Sequence, residues 1–347
     1  MPNTLNADLH CHSVVSDGTL TPEELAQRAQ RSGVQLWALT DHDEISGQHR
    51  ATAAAHAHGM DYLTGTEISV SFAHTTVHIV GLGFDADDAA LADGLAATRG
   101  GRDRRAQAMA QDLTRVGIHG AYEGALQYVS NPALISRTHF ARFLVETKVC
   151  KDTSEVFRKY LVEGKPGFVP HRWAALGDAV RWITQAGGMA VIAHPARYRL
   201  TANEEFALFS EFKQHGGQGV EVVTGSHSVA EYAEYADMAR EFGLAASRGS
   251  DFHSPDESHT ELGSLPPLPR GVTCQLYAAK PRRSSSCAPV PCASPPPPSK
   301  AARVRLVSRR AQAHPKTRHR RQTLQEACHH ARTPPYATSQ PSRTHCA

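Results

Sequence analysis

Through the first 270 residues, short apolar runs alternate with helix-forming stretches, and that alternation leaves few folds open. A strand, a helix and a second strand pack as a right-handed crossover, so repeats of the unit build a parallel sheet covered by helices. Asn6 to His12 reads as the first short strand. Thr21-Pro-Glu-Glu opens a helix, with Thr21 as N-cap, Pro22 at the first helical position and Glu24 closing a capping box; Gly33 ends it. Val34 to Thr40 is the next strand, followed by an Ala-rich helix from about Gly47 to His58, stopped by Gly59. Further strands are expected over residues 61–69, 75–84, 189–193, 219–223 and 244–247, with helices near 176–186, 203–215 and 228–242. Residues 100–164 read as mostly helical, broken at Gly117, Pro132 and Gly164. The expected class is α/β: a parallel sheet closed into a barrel over 1–99 and 165–272, with 100–164 inserted over one face as a helical cap.

Charge divides the chain. Residues 1–270 hold 23 Lys and Arg against 33 Asp and Glu, whereas residues 271–347 hold 14 against one, Glu326. The second segment also carries 11 of the 21 prolines and five of the seven cysteines, and includes the run Pro295 to Pro298. Such a segment has too little apolar surface to offset chain entropy, so 273–347 is expected to be a disordered basic tail. It reads either as an arm that binds phosphates or as out-of-frame translation of a GC-rich gene, and the abrupt break after Gly271-Val-Thr favours the second. Cys11 and Cys150, the two cysteines of the folded part, fit a reducing cytoplasm. No run of about 18 apolar residues is present and the start lacks the pattern of a secretory leader, so neither a membrane span nor export is expected.

Histidine is frequent, 21 residues in 347, which directs attention to ligand spacing. Asp8-Leu-His10-Cys-His12 ends the first strand, and residues at i and i+2 of a strand share a face, as a chelate requires. Asp17 follows in a Ser-Asp-Gly turn, Thr40-Asp-His42-Asp43 ends the second strand, and Gly65-Thr-Glu67 lies near the end of the third. His78 sits on the fourth, His194 follows in Ala-His-Pro, and Asp251 and His253 repeat the i, i+2 spacing in Gly249-Ser-Asp-Phe-His. Strand C-termini of a parallel barrel open on one face, where active sites are built. These nine side chains exceed the needs of one ion and suit two or three divalent cations, with Glu67 as a bridge. His49, His56, His58, His74, His119, His215, His227 and His259 fall outside the pattern and read as surface or satisfied residues. Asp41 and Asp43 read equally as supports of the site or as turn residues.

The ordered set Asp8-Leu-His-Cys-His, Ser16-Asp-Gly, Thr40-Asp-His-Asp, Gly65-Thr-Glu, His78, Ala193-His-Pro and Gly249-Ser-Asp-Phe-His resembles the PHP (polymerase and histidinol phosphatase) superfamily. It is most similar to the bacterial branch with a helical insertion, the nucleoside 3′,5′-bisphosphate phosphatases and related 5′-to-3′ exoribonucleases. The resemblance implies a distorted seven-stranded (β/α) barrel with a trinuclear centre, of manganese or else iron or zinc. One ion would take His10, His12, Glu67 and Asp251, a second Asp17, His42 and His253, and a third Glu67, His78 and His194.

The expected reaction is hydrolysis of a 5′-phosphate by a hydroxide bridging the ions. His194, His253 and Asp251 form the expected catalytic set, with either histidine as proton donor to the leaving alkoxide. A bisphosphate needs a second anion pocket. Ser136-Arg137-Thr-His139 opens a helix whose N-terminus suits phosphate, and Arg137, His139 and Arg197 are the expected substrate contacts. Arg99, Arg102, Arg104 and Arg105 read instead as a solvated helix face. The expected partner is a small nucleotide or short RNA, with no membrane and no obligate protein. A non-catalytic scaffold module is the remaining alternative, although such modules tend to lose ligands and this chain keeps the full set.

Overall fold

The computed structural model describes residues 5–272. The basic tail, in either reading, lies outside the described residues. Strands β1 (Ala7–Asp8), β2 (Leu36–Leu39), β3 (Asp61–Phe72), β4 (Thr75–Leu82), β5 (Ala174–Ala175), β6 (Met189–Ile192), β7 (Gly219–Thr224) and β8 (Ala245–Gly249) form one sheet. Its order is β1-β2-β3-β4-β6-β7-β8, with short β5 paired to the far end of β3. The two edges meet: Leu9 N donates to Arg248 O at 3.1 Å and His12 N to Phe252 O at 2.8 Å, so the sheet closes into a barrel.

The barrel is mixed rather than parallel, because β4 runs antiparallel to both β3 and β6. Two residues, Ala73 and His74, connect β3 to β4, both with positive φ (43° and 67°). That is hairpin geometry, and a two-residue link cannot make the crossover a parallel pair needs. The remaining neighbours pair in parallel.

Helices α1 (Pro22–Arg31), α2 (Gln48–Ala57), α3 (Ala89–Arg99), α8 (Leu176–Gln185), α9 (Ala202–Gln214) and α10 (Val229–Glu241) surround the barrel. Thr21 caps α1 with the reciprocal Glu24 contact, as its sequence predicts. The helical region after β4 begins earlier than residue 100: Asp88 accepts from Leu91 N and starts α3. Phe209, Phe212, Ile183 and Val180 bury the inner faces of α8 and α9 against the sheet. Each such side chain contributes about 1.5–3 kcal/mol by leaving water. Inside the barrel, Leu9, Leu36, Ala38, Leu63, Val80, Leu82 and Val191 fill one end. The interior is therefore packed, and a site must sit at the opposite rim. The chain alternation shifts after Leu9: Cys11 packs outward with Trp37 and Leu39, which leaves His10 and His12 together on the rim side.

Helices α4 (Arg102–Arg115), α5 (Ala121–Leu126), α6 (Arg137–Glu146) and α7 (Thr153–Val156) share a separate core around Met109, Leu113, Phe140, Leu144 and Leu161. Polar contacts fasten this layer to loops of the rim. Arg142 forms a two-bond pair with Glu257 at 2.8 and 2.7 Å, Ser136 Oγ donates to Asp17 at 3.2 Å, and Arg102 pairs with Asp43.

Candidate metal centre

The rim gathers all nine predicted ligands. His10 and His12 leave β1 with their Nε2 atoms 3.2 Å apart. His12 Nε2 lies 3.2 Å from Glu67 Oε2 and 3.3 Å from Asp251 Oδ1, and His10 Nε2 lies 3.3 and 3.5 Å from the same atoms. A cation with bonds near ~2.1 Å needs ligand atoms roughly 3.0–3.4 Å apart, so these four atoms mark the corners of a cage. A second group joins His12, Asp17, His42 and His253, and a third joins His42, Glu67 and His78. His42 thus belongs to two groups. His194 Nε2 stands 2.9 Å from Glu67 Oε1, beside His78 Nδ1 at 2.8 Å.

The buried atoms support occupation by cations. Glu67 Oε2, Asp17 Oδ1, His12 Nδ1, His42 Nδ1 and His194 Nδ1 make no hydrogen bond among the described residues. Glu67 Oε2 stands 3.0–3.3 Å from three imidazole nitrogens without a well-aligned hydrogen bond from any of them, and a cation satisfies lone pairs so placed where more protein donors cannot. Mixed imidazole and carboxylate donors suit first-row divalent ions.

Local structure explains the convergence. Asp41 accepts from Ser13 N at 2.8 Å, Ser13 Oγ at 2.7 Å and Ser16 Oγ at 2.6 Å, which folds the loop that aims Asp17. Gly18 is required there, since a Cβ would stand 2.1 Å from His12 O. Asp43 accepts from Ser69 N and Oγ at 2.7 and 3.0 Å, and Asp43 N donates to Glu67 O at 2.9 Å. Both aspartates therefore support the site. His78 lies on antiparallel β4, opposite Ser69, rather than at a strand C-terminus. His194, Asp43 and Asp251 hold positive φ (24°, 49°, 56°), three of the seven non-glycine residues in that region among the described residues, so part of the backbone strain lies at the rim.

Charge balance within the cluster is set by proximity. Burial pushes the Glu67 carboxyl up, but His78, His42 and His10 overcome it and hold the group well below the carboxylate range. Asp17 and Asp251 are likewise lowered by neighbouring imidazoles against the cost of burial. Burial opposes charge on His12, yet its contacts with Asp251 and Glu67 lift it to about 10. Burial pushes His194 and His253 down to about 4, helped by the Arg197 and His12 charges respectively. Neutral imidazoles of this kind suit ligation and are poor proton donors near pH 7, and both stand beside other candidate ligands, His194 Nε2 2.9 Å from Glu67 Oε1 and His253 grouped with His12, Asp17 and His42.

A pH prediction follows. His139, buried, is also pushed down to about 4. A histidine that stays neutral when folded but takes a proton near 6.5 when unfolded favours unfolding as pH falls. The stability from His139, His194 and His253 is thus complete above about 6.5 and is lost on acidification toward 4. Burial raises Asp8 and Asp41, which act in the opposite sense. His78, His171 and His227 are lowered as well, against three raised carboxyls with Glu205 included, and the raised His10 and His12 act mainly above pH 6.5, so the melting temperature of chelator-treated protein should drop by at least about 5 °C between pH 6.5 and 4.5. A flat or rising profile would contradict this charge assignment.

The cleft above the cluster differs from expectation in its arginines. Arg102 is only 5% exposed, pairs with Asp43 and lies 4.7 Å over the Trp173 ring. Arg105 reaches the same cleft with its guanidinium 5.4 Å from that ring. These two belong to the site, while Arg104 is exposed. Arg137 also lines the cleft, and half-exposed Arg197 donates to Asp251 Oδ2 at 2.6 Å. His139 does not line it; buried beneath, its Nδ1 accepts from Ser136 N at 3.0 Å and closes the cap of α6. Glu221 was missed from sequence, although a lone charge in the buried run Gly219-Val-Glu-Val-Val-Thr is a signal.

A PHP domain model matches residues 8–161. A 3′,5′-nucleoside bisphosphate phosphatase of Chromobacterium violaceum is 50% identical over 276 residues, 79% of this chain and 97% of that protein. The chain belongs to the PHP-domain family. The 5′-3′ exoribonuclease Rnm of Escherichia coli is 40% identical over 267 residues, covering 76% of this chain and 90% of Rnm. A solved Chromobacterium violaceum structure described as an amidohydrolase, with bound sulfate and no metal, superposes with TM-score 0.77 at 48% identity over 79% of this chain and 95% of that one. A Bifidobacterium adolescentis structure assigned to the metal-dependent phosphoesterases gives TM-score 0.65 at 28% identity over 74% and 91%. The PHP barrel here is that of a metal-dependent phosphoesterase, a phosphoric ester hydrolase using divalent cations. None of the described helices is long and apolar enough to cross a membrane.

Proposed function

We propose that this PHP enzyme removes the 5′-phosphate of nucleoside 3′,5′-bisphosphates, with residues 100–164 acting as the cap that recognises the second phosphate. The carrying observation is the state of Arg105 and Arg137. Both line the cleft over the cation cluster, and neither forms an ion pair among the described residues; their hydrogen bonds go to the carbonyls of Val169 (2.9 Å) and Leu161 (3.3 Å). Burial, with the neighbouring guanidiniums, pushes Arg105 down to about 9 and Arg137 to about 10. Positive charge held in partial burial without a counter-charge is a seat for an anion. Among the relatives named above, the bisphosphate phosphatase, 50% identical, supports that reading over the exoribonuclease, 40% identical.

The nine residues His10, His12, Asp17, His42, Glu67, His78, His194, Asp251 and His253 would hold the ions, with manganese the proposed metal and iron or zinc alternatives. Bound ions would supply Lewis acidity and a water acidified toward neutrality. The protein orients the scissile phosphate through Arg197, already tethered to Asp251, and the distal phosphate through Arg105 and Arg137. The cap limits access to the cleft, and low local water strengthens each charge contact. The free, buried thiols of Cys11 and Cys150 support a cytoplasmic location. No protein partner is proposed.

With manganese, adenosine 3′,5′-bisphosphate should exceed AMP in kcat/KM by at least about 100-fold, because charge-assisted contacts are worth about 1.5–3 kcal/mol each. Equal rates would remove the second pocket. Faster turnover of a 5′-phosphorylated oligonucleotide would select the exoribonuclease activity named for Rnm. No turnover of any of the three would leave a scaffold.

A further inference from the structure

We propose that Glu221 is a positioning residue that sets the ligands of two cation sites at once. The inference rests on the metal-dependent reading of the rim. Glu221 projects from the buried strand β7 and is 1% exposed. Its Oε1 lies 2.9 Å from His10 Nδ1, and its Oε2 accepts from His194 N at 2.8 Å.

Each contact fixes a different ligand. A carboxylate oxygen only accepts, so His10 Nδ1 carries the proton and its Nε2 presents a lone pair. That Nε2 is the atom facing Glu67 Oε2 at 3.3 Å and Asp251 Oδ1 at 3.5 Å. At the other oxygen, the bond to His194 N holds a backbone at φ 24° and ψ 59°, which places His194 Nε2 2.9 Å from Glu67 Oε1. The two imidazoles, 5.5 Å apart and nearly parallel, are thus held by one carboxylate. Gly249 makes the room: a Cβ there would stand 2.3 Å from His10 Cβ and 3.0 Å from Glu221 Oε1. Partners of this kind behind a metal-bound histidine influence metal affinity by about 10–100-fold.

Glu221→Gln keeps the volume but offers one acceptor for two N–H donors, so either His10 or His194 loses its hold. Titration of chelator-stripped enzyme with Mn²⁺ and Zn²⁺ alone, followed by metal analysis, reads the effect without turnover. The expected result is a loss of affinity of about 10–100-fold, with an unchanged circular-dichroism spectrum. Glu221→Asp, which keeps both acceptors one methylene back, should lose less. Wild-type affinity and stoichiometry in E221Q, or a loss in E221D as large as in E221Q, would overturn the proposal. If E221Q does not fold, E221D decides alone: folded with weaker binding supports it, and folded with wild-type binding overturns it. Failure of the wild-type protein to bind either metal would overturn the proposal together with the metal-centre reading; wild-type binding with an unaffected E221Q removes only the role of Glu221.

Discussion

Glu67→Gln is expected to lower kcat/KM for adenosine 3′,5′-bisphosphate by about a thousandfold or more, with loss of bound metal. The carboxylate stands within 2.8–3.3 Å of five imidazoles, those of His78, His194, His42, His12 and His10. It is the one acid common to two of the three ligand groups. Its amide analogue keeps the shape and removes the charge that would hold the cations together. Charge stabilisation by such ions is worth several kcal/mol, and each ~1.4 kcal/mol is a decade in rate. Turnover and metal analysis on the same sample check it. An E67Q enzyme within tenfold of wild type, with its metal retained, would show that the cluster is not organised around this residue.

The second large effect concerns discrimination. Arg105→Ala with Arg137→Ala should cut kcat/KM for the bisphosphate by about 100–1,000-fold while leaving AMP within about threefold, two charge-assisted contacts having been removed. The split matters more than the size. Equal losses on both substrates would assign the pair to the scissile phosphate or to cap folding. Lowered melting temperature accompanied by equal losses would select folding.

The balance between local and long-range information is visible residue by residue. His10 with His12 and Asp251 with His253 were legible as close pairs just after apolar runs, although both lie beyond the strands, which end at Asp8 and Gly249, and Asp251 is held at φ 56°, so the loop contacts rather than strand alternation bring them together. Thr21 and Glu24 marked the start of α1, since a capping box closes over three residues. The reversal at Ala73-His74 was not legible, because neither residue is a glycine or asparagine that would advertise positive φ. Arg102 and Arg105 looked solvated because helical periodicity within α4 does not tell what a neighbouring layer places against a charged face. His139 carried a plausible anion-binding signature at a helix start, yet the capping bond to Ser136 turns it inward.

The sequence by itself determined the α/β class, the alternation that closes the barrel, and which histidines and carboxylates the rim would carry. Those features are local: periodicity, caps and short spacings act within a few residues. Only the tertiary structure decided that β4 runs antiparallel and delivers His78 from mid-strand, that Glu221 links His10 to His194, and that Arg105 and Arg137 meet over the cluster. Each depends on how whole elements meet, β4 beside β6, β7 beneath His10 and His194, and the helical layer over the rim, and such meetings are set by register and by the packing of one layer on another, not by any local pattern.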